Sequence, residues 1–473
     1  MSTQVSEFRS RGAEPAAGSR TQRVSTGARL DRLPFSSFHR NFLLMVTAGE
    51  FVETLMLLGN GVVLTLVGKV MHFSAFVSTW SIPVAFFLGE FLGSILSGLI
   101  GDRLGRKKVF TYDLLLFGVG MLAAGFMNSA ALIAIFVALA GVGVGGEFPI
   151  VDTYTAEMVP RRVRGQSMAR VYTIAVLAAP VIAALAYWVS HPSAGPNSWR
   201  TLFWIMGVCG LIVWVIRFRV PESPRWQELH GQEQAADAQL DAIEARVQRE
   251  LGLDALPPVK DEIAAASSKD GGHRYSDIFA SDMRSRTLMM LVFQFFQSGL
   301  FYGFTTLAPT ILEHKGITLV KSLEFSMIIY AGYFVGSIVS MFTIDRVERK
   351  WGLIVTAVLA GIFGTLFGLI ASETAAVIFG FITTFFLWQF SNFQHTYQAE
   401  IFPTRVRTTA AGTTYSVSRI STTIFVLLIT NVFLPWGIGA TFALIWLLIA
   451  VVVFDIGLFG PKTSGLSVDE IAG

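Results

Sequence analysis

Glu50 and Glu53, in the stretch "TAGEFVETLML", are the only charged residues between Arg40 and Lys69. On a helix their spacing sets both carboxylates on one face. They repel one another and burial disfavours the charged form, so the pair is suited to holding and releasing a proton. Glu53, deeper from the polar start near Asn41, is the preferred carrier, with Glu50 tuning it. A later run, "GVGVGGEFPIVDTYTAE", adds Glu147 and Asp152 as further carboxylates for the same chemistry. His395, in "WQFSNFQHTYQAE", brings an imidazole, the side-chain type suited to sharing protons near neutral pH, and is either a proton-sharing ligand or a hydrogen-bonded packing residue. Arg419, in "SVSRISTTIF", lies deep in an apolar segment and must find a counter-charge, carbonyl groups or an anionic ligand there. Gln294 and Gln297, in "FQFFQSGLFYGF", share a helical face beside aromatic residues and form a plausible binding wall. No phosphate-binding loop, metal cluster, nucleophile triad or nucleic-acid signature accompanies them, so no enzyme, metal or cofactor is expected. The one cysteine, Cys209, excludes an internal disulfide.

The elements that hold these charges are read from composition. The chain has 473 residues, 53% hydrophobic and only 15% charged, with a mean hydropathy of +0.57. That is too little polar surface for a water-soluble protein of this length. Apolar runs long enough to cross roughly 30 Å of hydrocarbon are expected near 42–68, 76–100, 109–127, 130–158, 167–190 and 199–219, and again near 286–312, 323–344, 352–371, 374–402, 409–434 and 437–459. The first 40 residues are polar and Arg-rich and carry no secretory signal pattern. Arg and Lys gather at Arg103–Lys108, Arg161–Arg170, Arg346–Lys350 and Arg405–Arg407, whereas alternate loops such as Asn128-Ser129 and Ser372-Glu373 have none. By the positive-inside rule both termini and the central loop lie in the cytoplasm.

The chain also repeats itself. "AEMVPRRVRG" from Ala156 returns as "AEIFPTRVRT" from Ala399, and "GSILSGLIGDRLGRKK" from Gly93 returns as "GSIVSMFTIDRVERK" from Gly336. Both pairs keep one interval, 399 − 156 = 336 − 93 = 243 residues. Asp152 and His395 stand at the same interval, so a titratable residue occupies matching depths of both halves. The Glu50 and Glu53 positions map onto Phe293 and Phe296, which makes function, rather than repeat symmetry, the reason for the acidic pair.

With these loops and repeats, the sequence resembles the major facilitator superfamily, in its sugar-porter and metabolite:proton symporter branch. "GDRLGRKK", "IDRVERK", "PESPRW", the two "AE" motifs and "PKTSGLSVDEI" carry the likeness in family order, and "ARLDRLP" from Ala28 resembles the N-terminal tail of bacterial inner-membrane metabolite transporters. The resemblance implies an all-α membrane protein of twelve helices in two pseudo-symmetric six-helix bundles that rock about a central site. Such bundles need contacts that hold one face shut and then release. Asp102, Arg103, Arg106, Glu157, Arg162 and Arg164, with Asp345, Arg349, Glu400, Arg405 and Arg407 in the second half, are the expected gate. Topology signalling alone explains the basic residues but not the acidic ones among them. The hexose pocket of the branch is not reproduced: Phe295, Phe296 and Phe301 stand at its amide positions, Tyr172 where Gln is usual, and His395 near the usual Trp. Tyr172 joins the binding candidates on that ground.

The expected organisation is a cytoplasmic tail (1–40), a six-helix bundle (41–220), a central cytoplasmic loop with one or two surface helices (221–284), a second bundle (285–460) and a short tail (461–473). The expected function is proton-coupled uptake of a small organic solute, an acid ahead of a sugar, across the cell inner membrane. The expected partners are the substrate, protons and the lipid bilayer, without nucleic acid, in a monomer. A proton-driven efflux antiporter and a transport-inactive nutrient sensor are the rivals.

Overall fold

A computed structural model of the chain describes residues 24–71, 82–190, 195, 197–259, 274–314 and 319–464. The start of the tail, the stretch "ASSKDGGHR" up to His273 and most of "PKTSGLSVDEI" lie outside the described residues.

The described chain is helical throughout. After a short α1 (Thr26–Asp31) come α2 (Ser37–Val70), α3 (Ile82–Leu104), α4 (Arg106–Phe126) and α5 (Ala130–Met158). The fifth apolar segment is broken into α6 (Arg164–Ala175) and α7 (Ala178–Ser190), and α8 (Trp199–Arg217) completes the first half. Two helices outside the bundle, α9 (Pro224–Leu229) and α10 (Glu233–Leu251), lead to the second half: α11 (Arg284–His314), α12 (Leu319–Thr343), α13 (Arg349–Leu369), α14 (Glu373–Glu400), α15 (Arg407–Leu428) and α16 (Ile438–Phe459). Among the described residues nine segments are long and apolar enough to cross a membrane. α15 falls short because its inner face is built from Thr, Ser and Arg, which a helix can carry in a bilayer only when neighbouring helices cover it.

Large apolar side chains cover the outer surface as well as filling the core, while many polar and charged side chains are buried, unlike in a soluble protein. Leu88, Leu92, Leu96, Ile100 and Leu104 make an exposed stripe along α3 at four-residue spacing, while Glu90, Ser94 and Ser97 on its other side are buried. The halves meet where α3 packs on α15, α6 on α12, and α5 on α14 and α15. α5 owes its close contact with α3 to "GVGVGG": a Cβ on Gly145 would lie 2.0 Å from the Glu90 carbonyl oxygen. Pro149 lacks the N–H that would bond Gly145, and the Ser94 hydroxyl donates to that freed carbonyl at 2.6 Å.

At the end bearing the basic loops, a Cβ on Gly412 of α15 would lie 2.1 Å from the Ser94 carbonyl oxygen of α3, so the halves touch through backbone there. Gly412→Ala is therefore expected to wedge this end apart. A cysteine placed at buried Ala410 should then react faster with a bulky maleimide, and an unchanged rate would mean that the seam absorbs the methyl group elsewhere.

The described end of the tail, from Val24, is tied to the helices that follow the first half. Arg29 bonds Asp237, Asp241 and Glu244 of α10, and the Thr26 hydroxyl donates to Glu228 of α9 at 2.6 Å. The carboxylates of Glu244 and Asp241 hold the Arg29 guanidinium above its ordinary range. Linear spacing carries no sign of this contact, because α10 offers its acidic face only once the chain folds back on it.

Candidate functional site

Two polar clusters lie between the halves, one at the basic end and one deeper in the bundle. At the basic end, Asp102 on the last turn of α3 accepts the backbone N–H groups of Thr408 and Thr409 at 3.3 and 2.7 Å, at the N-terminus of α15. Its repeat mate Asp345 accepts those of Gly165 and Gln166 at 3.1 and 2.8 Å, at the N-terminus of α6. Each half thus satisfies the first N–H groups of a helix in the other, where the helix dipole favours negative charge. Arg106 bonds Asp102 at 3.0 Å, Glu157 at 2.9 Å and the Thr404 carbonyl oxygen across the seam at 2.9 Å. Arg349 reaches Asp345 at 2.7 Å and Glu400 at 3.3 Å.

Glu157 and Glu400 pair with Arg106 and Arg349 of their own half, and each also meets an arginine of the other: Arg407 crosses the seam to Glu157 at 2.8 Å, and Arg164 crosses the other way to stand 3.7 Å from Glu400. The two crossings are unequal. Glu157 also accepts the Ser223 hydroxyl at 2.5 Å, whereas Arg164 is shared with Asp31 of α1 at 3.9 Å. Glu222 of "PESPRW" accepts the Arg106 N–H at 2.9 Å and so caps α4, although burial pushes its carboxyl up from the ordinary value. Three expected gate residues stand outside this network: Arg103 is exposed, Arg162 donates to the Leu33 carbonyl oxygen at 3.3 Å, and Arg405 bonds Asp282 on the surface at 2.5 Å. A run of arginines alternates its directions on a helical turn, and the spacing alone does not say which ones turn inward.

Deeper in, Asp152 and His395 meet across the seam at 2.7 Å, Nδ1 to carboxylate. The Tyr172 hydroxyl donates to Asp152 at 2.7 Å, and its ring stacks on His395 with centroids 4.2 Å apart. Tyr415, at the repeat position of Tyr172, accepts from Arg419, which also donates to the Tyr302 hydroxyl at 3.1 Å. The Arg419 guanidinium lies 4.4 Å from the Tyr415 ring centre and 5.4 Å from that of Phe148. Its Nε makes no hydrogen bond, and its nearest carboxylate is Glu90 of α3, at 3.7 Å.

Glu50 and Glu53 are fully buried, and none of their four oxygens has a hydrogen-bond partner. They face different surroundings. Glu50 is in electrostatic reach of Asp152 and Arg419 as well as Glu147 and Arg217, whereas Glu53 looks toward Glu147, Arg217 and Asp113. Glu147 is engaged with Arg217 through both oxygens, one at 2.6 Å, and Arg217 also donates to the Phe110 carbonyl oxygen at 2.5 Å. Gln294 and Gln297 form an amide chain: Gln297 donates to Gln294 at 2.8 Å, Gln294 to Gln398, and Gln398 to the Ala411 carbonyl oxygen at 2.9 Å. Both amide ends of Gln294 are therefore engaged within the second half.

The sequence reading missed Glu90, Arg217, Tyr302 and Tyr415. Glu90 carried the signal already applied to Glu50, a lone carboxylate inside an apolar run. Arg217 did not, because a basic residue closing a span reads as an interfacial anchor.

The family described as "Sugar (and other) transporter" matches residues 33–473. The chain belongs to that family. It is a multi-pass membrane transporter of the major facilitator type for a sugar or other small metabolite, and not an enzyme. YyaJ of Bacillus subtilis is 29% identical over 447 residues, covering 92% of this chain and 95% of the relative. The inner membrane metabolite transport protein YdjE of Escherichia coli is 26% identical, covering 94% and 98%. The niacin transporter NiaP of Acinetobacter baylyi is 26% identical, covering 94% and 99%. Among solved structures, the proton:xylose symporter XylE bound to 6-bromo-6-deoxy-D-glucose superposes with a TM-score of 0.75 at 18% identity, covering 92% of this chain and 98% of its own. That likeness shows the twelve-helix fold of two six-helix halves.

Proposed function

We propose that this transporter imports a small organic acid together with protons across the cell inner membrane, as a single chain with both termini in the cytoplasm. The observation that carries the reading is Arg419, a buried guanidinium whose Nε has no hydrogen bond and whose nearest carboxylate stands 3.7 Å away. A substrate carboxylate offers it direct charged hydrogen bonds. Phe148, Tyr172 and Tyr415 supply aromatic surface for the rest of a small solute. Similarity to a protein named as a transporter of niacin, a ring-bearing carboxylic acid, supports the same class.

Coupling to protons is supported by Glu50 and Glu53, buried carboxylates with no bonded partner. Glu50 is now the preferred carrier, since it is the one in reach of both Asp152 and Arg419. Glu147 is set aside because Arg217 engages both of its oxygens. The bridge from Asp152 to His395 joins the halves where a passing substrate must part them, which suits a central gate. Asp102, Arg106, Glu157, Arg164, Asp345, Arg349, Glu400 and Arg407 form the latch of the basic end.

Uptake of labelled nicotinate, benzoate, gluconate and xylose into proteoliposomes, with and without an inward proton gradient, tests the reading. Acids should accumulate only with the gradient; accumulation of xylose alone would overturn the acid assignment. Glu50→Gln should abolish accumulation while acid exchange across the membrane continues, because a carrier that cannot release its proton still shuttles when loaded. Accumulation by that variant at the native level would remove Glu50 from the coupling path.

A further inference from the structure

Glu90 is fully buried in α3, and neither of its carboxylate oxygens has a hydrogen-bond partner. An unpaired charge in such a place is costly, so its one cation matters. That cation is Arg419, 3.7 Å away on α15, in the other half of the molecule. Among the described residues the surrounding elements offer no second cation. α15 also presents Tyr415, and α5 packs its backbone at Gly141 and Gly145 against the Glu90 turn of α3. Asp113 of α4 lies two turns further along α3, bonded by Ser97 at 3.1 Å, and Glu50 of α2 is a competing anion for the same guanidinium.

We infer that Glu90 makes acid binding at Arg419 consume a proton. The inference rests on the acid-uptake reading, in which Glu50 carries the proton through the transport cycle, and adds the residue whose protonation is linked to the substrate-binding step itself. A substrate carboxylate arriving at Arg419 takes the guanidinium from Glu90. Glu90, left buried without a cation, takes one proton from the solvent path. One anion and one proton enter together, the Arg419 cation is kept, and the net charge of the site is unchanged. Glu90 is a positioning and coupling residue here: it does not touch the substrate, and it sets the condition under which Arg419 is free to do so.

The test is proton uptake by the purified full-length transporter in weakly buffered detergent solution near neutral pH. Adding nicotinate should withdraw about one proton per molecule bound, and adding the neutral analogue nicotinamide none. Glu90→Gln should bind nicotinate without proton uptake, and Glu90→Asp, which keeps the carboxyl, should restore it. Nicotinate affinity of the native protein should fall by up to about tenfold per pH unit through the Glu90 titration, against less than about twofold in Glu90→Gln. Native-like proton uptake by Glu90→Gln would assign the coupling to another carboxylate and overturn the inference. A native protein that binds xylose but neither nicotinate nor benzoate would instead overturn the acid reading on which it rests.

Discussion

Arg419→Lys lowers affinity for carboxylate substrates by about 10- to 100-fold while changing affinity for their neutral amides by less than about threefold. The physical reason is geometry, since both residues are cations. Arg419 points in three directions at once, to Tyr302, to Tyr415 and toward Glu90. Lysine has one ammonium and no planar fork, so it keeps the charge but cannot hold two tyrosine hydroxyls and meet a carboxylate side-on. Losing one charge-assisted hydrogen bond costs about 1.5–3 kcal/mol, which corresponds to the affinity change given. Equilibrium binding of nicotinate and nicotinamide to the purified variant measures it. Equal losses for acid and amide would make Arg419 a structural tie between the halves.

Glu157→Gln opens the basic end. In the closed state Glu157 receives Arg106, Arg407 and Ser223, and all four side chains are buried. Removing one partner of a buried ion pair typically costs about 3–5 kcal/mol, and here Arg407 and Arg106 both lose that carboxylate while Arg106 keeps Asp102. Opening exposes both arginines to water and relieves that cost, so the open population rises by a factor on the order of 100 or more. Glu400→Gln is expected to do much less, because Arg164 stands 3.7 Å from Glu400 and is shared with Asp31. Maleimide labelling of a cysteine at Ala410 in each variant measures the difference. Equal labelling in the two variants would mean that the latch energy is shared symmetrically despite the unequal distances.

The repeat of 243 residues, the basic loops and the lone buried charges were all legible without coordinates, and they give the class, the twelve spans and the region of the site. They are legible because a bilayer constrains composition strongly: a span must be apolar for its length, and any charge inside it needs a reason. The sequence also determined the placement of Asp152 opposite His395, since a duplicated fold carries equivalent residues to equivalent depths.

What only the tertiary structure decided is partnership. Asp102 and Asp345 each cap a helix of the opposite half, and Arg164 and Arg407 exchange sides, because the repeats pack face to face about a pseudo-twofold axis and reach across it. Periodicity places a side chain on a face of its own helix and is silent about which helix that face meets. For the same reason Glu50, rather than Glu53, looks toward Arg419, Glu147 is taken by Arg217, and Glu90 finds its cation more than three hundred residues away. A charge buried in a membrane protein announces itself by its own sequence neighbourhood, but the group that compensates it is chosen by packing.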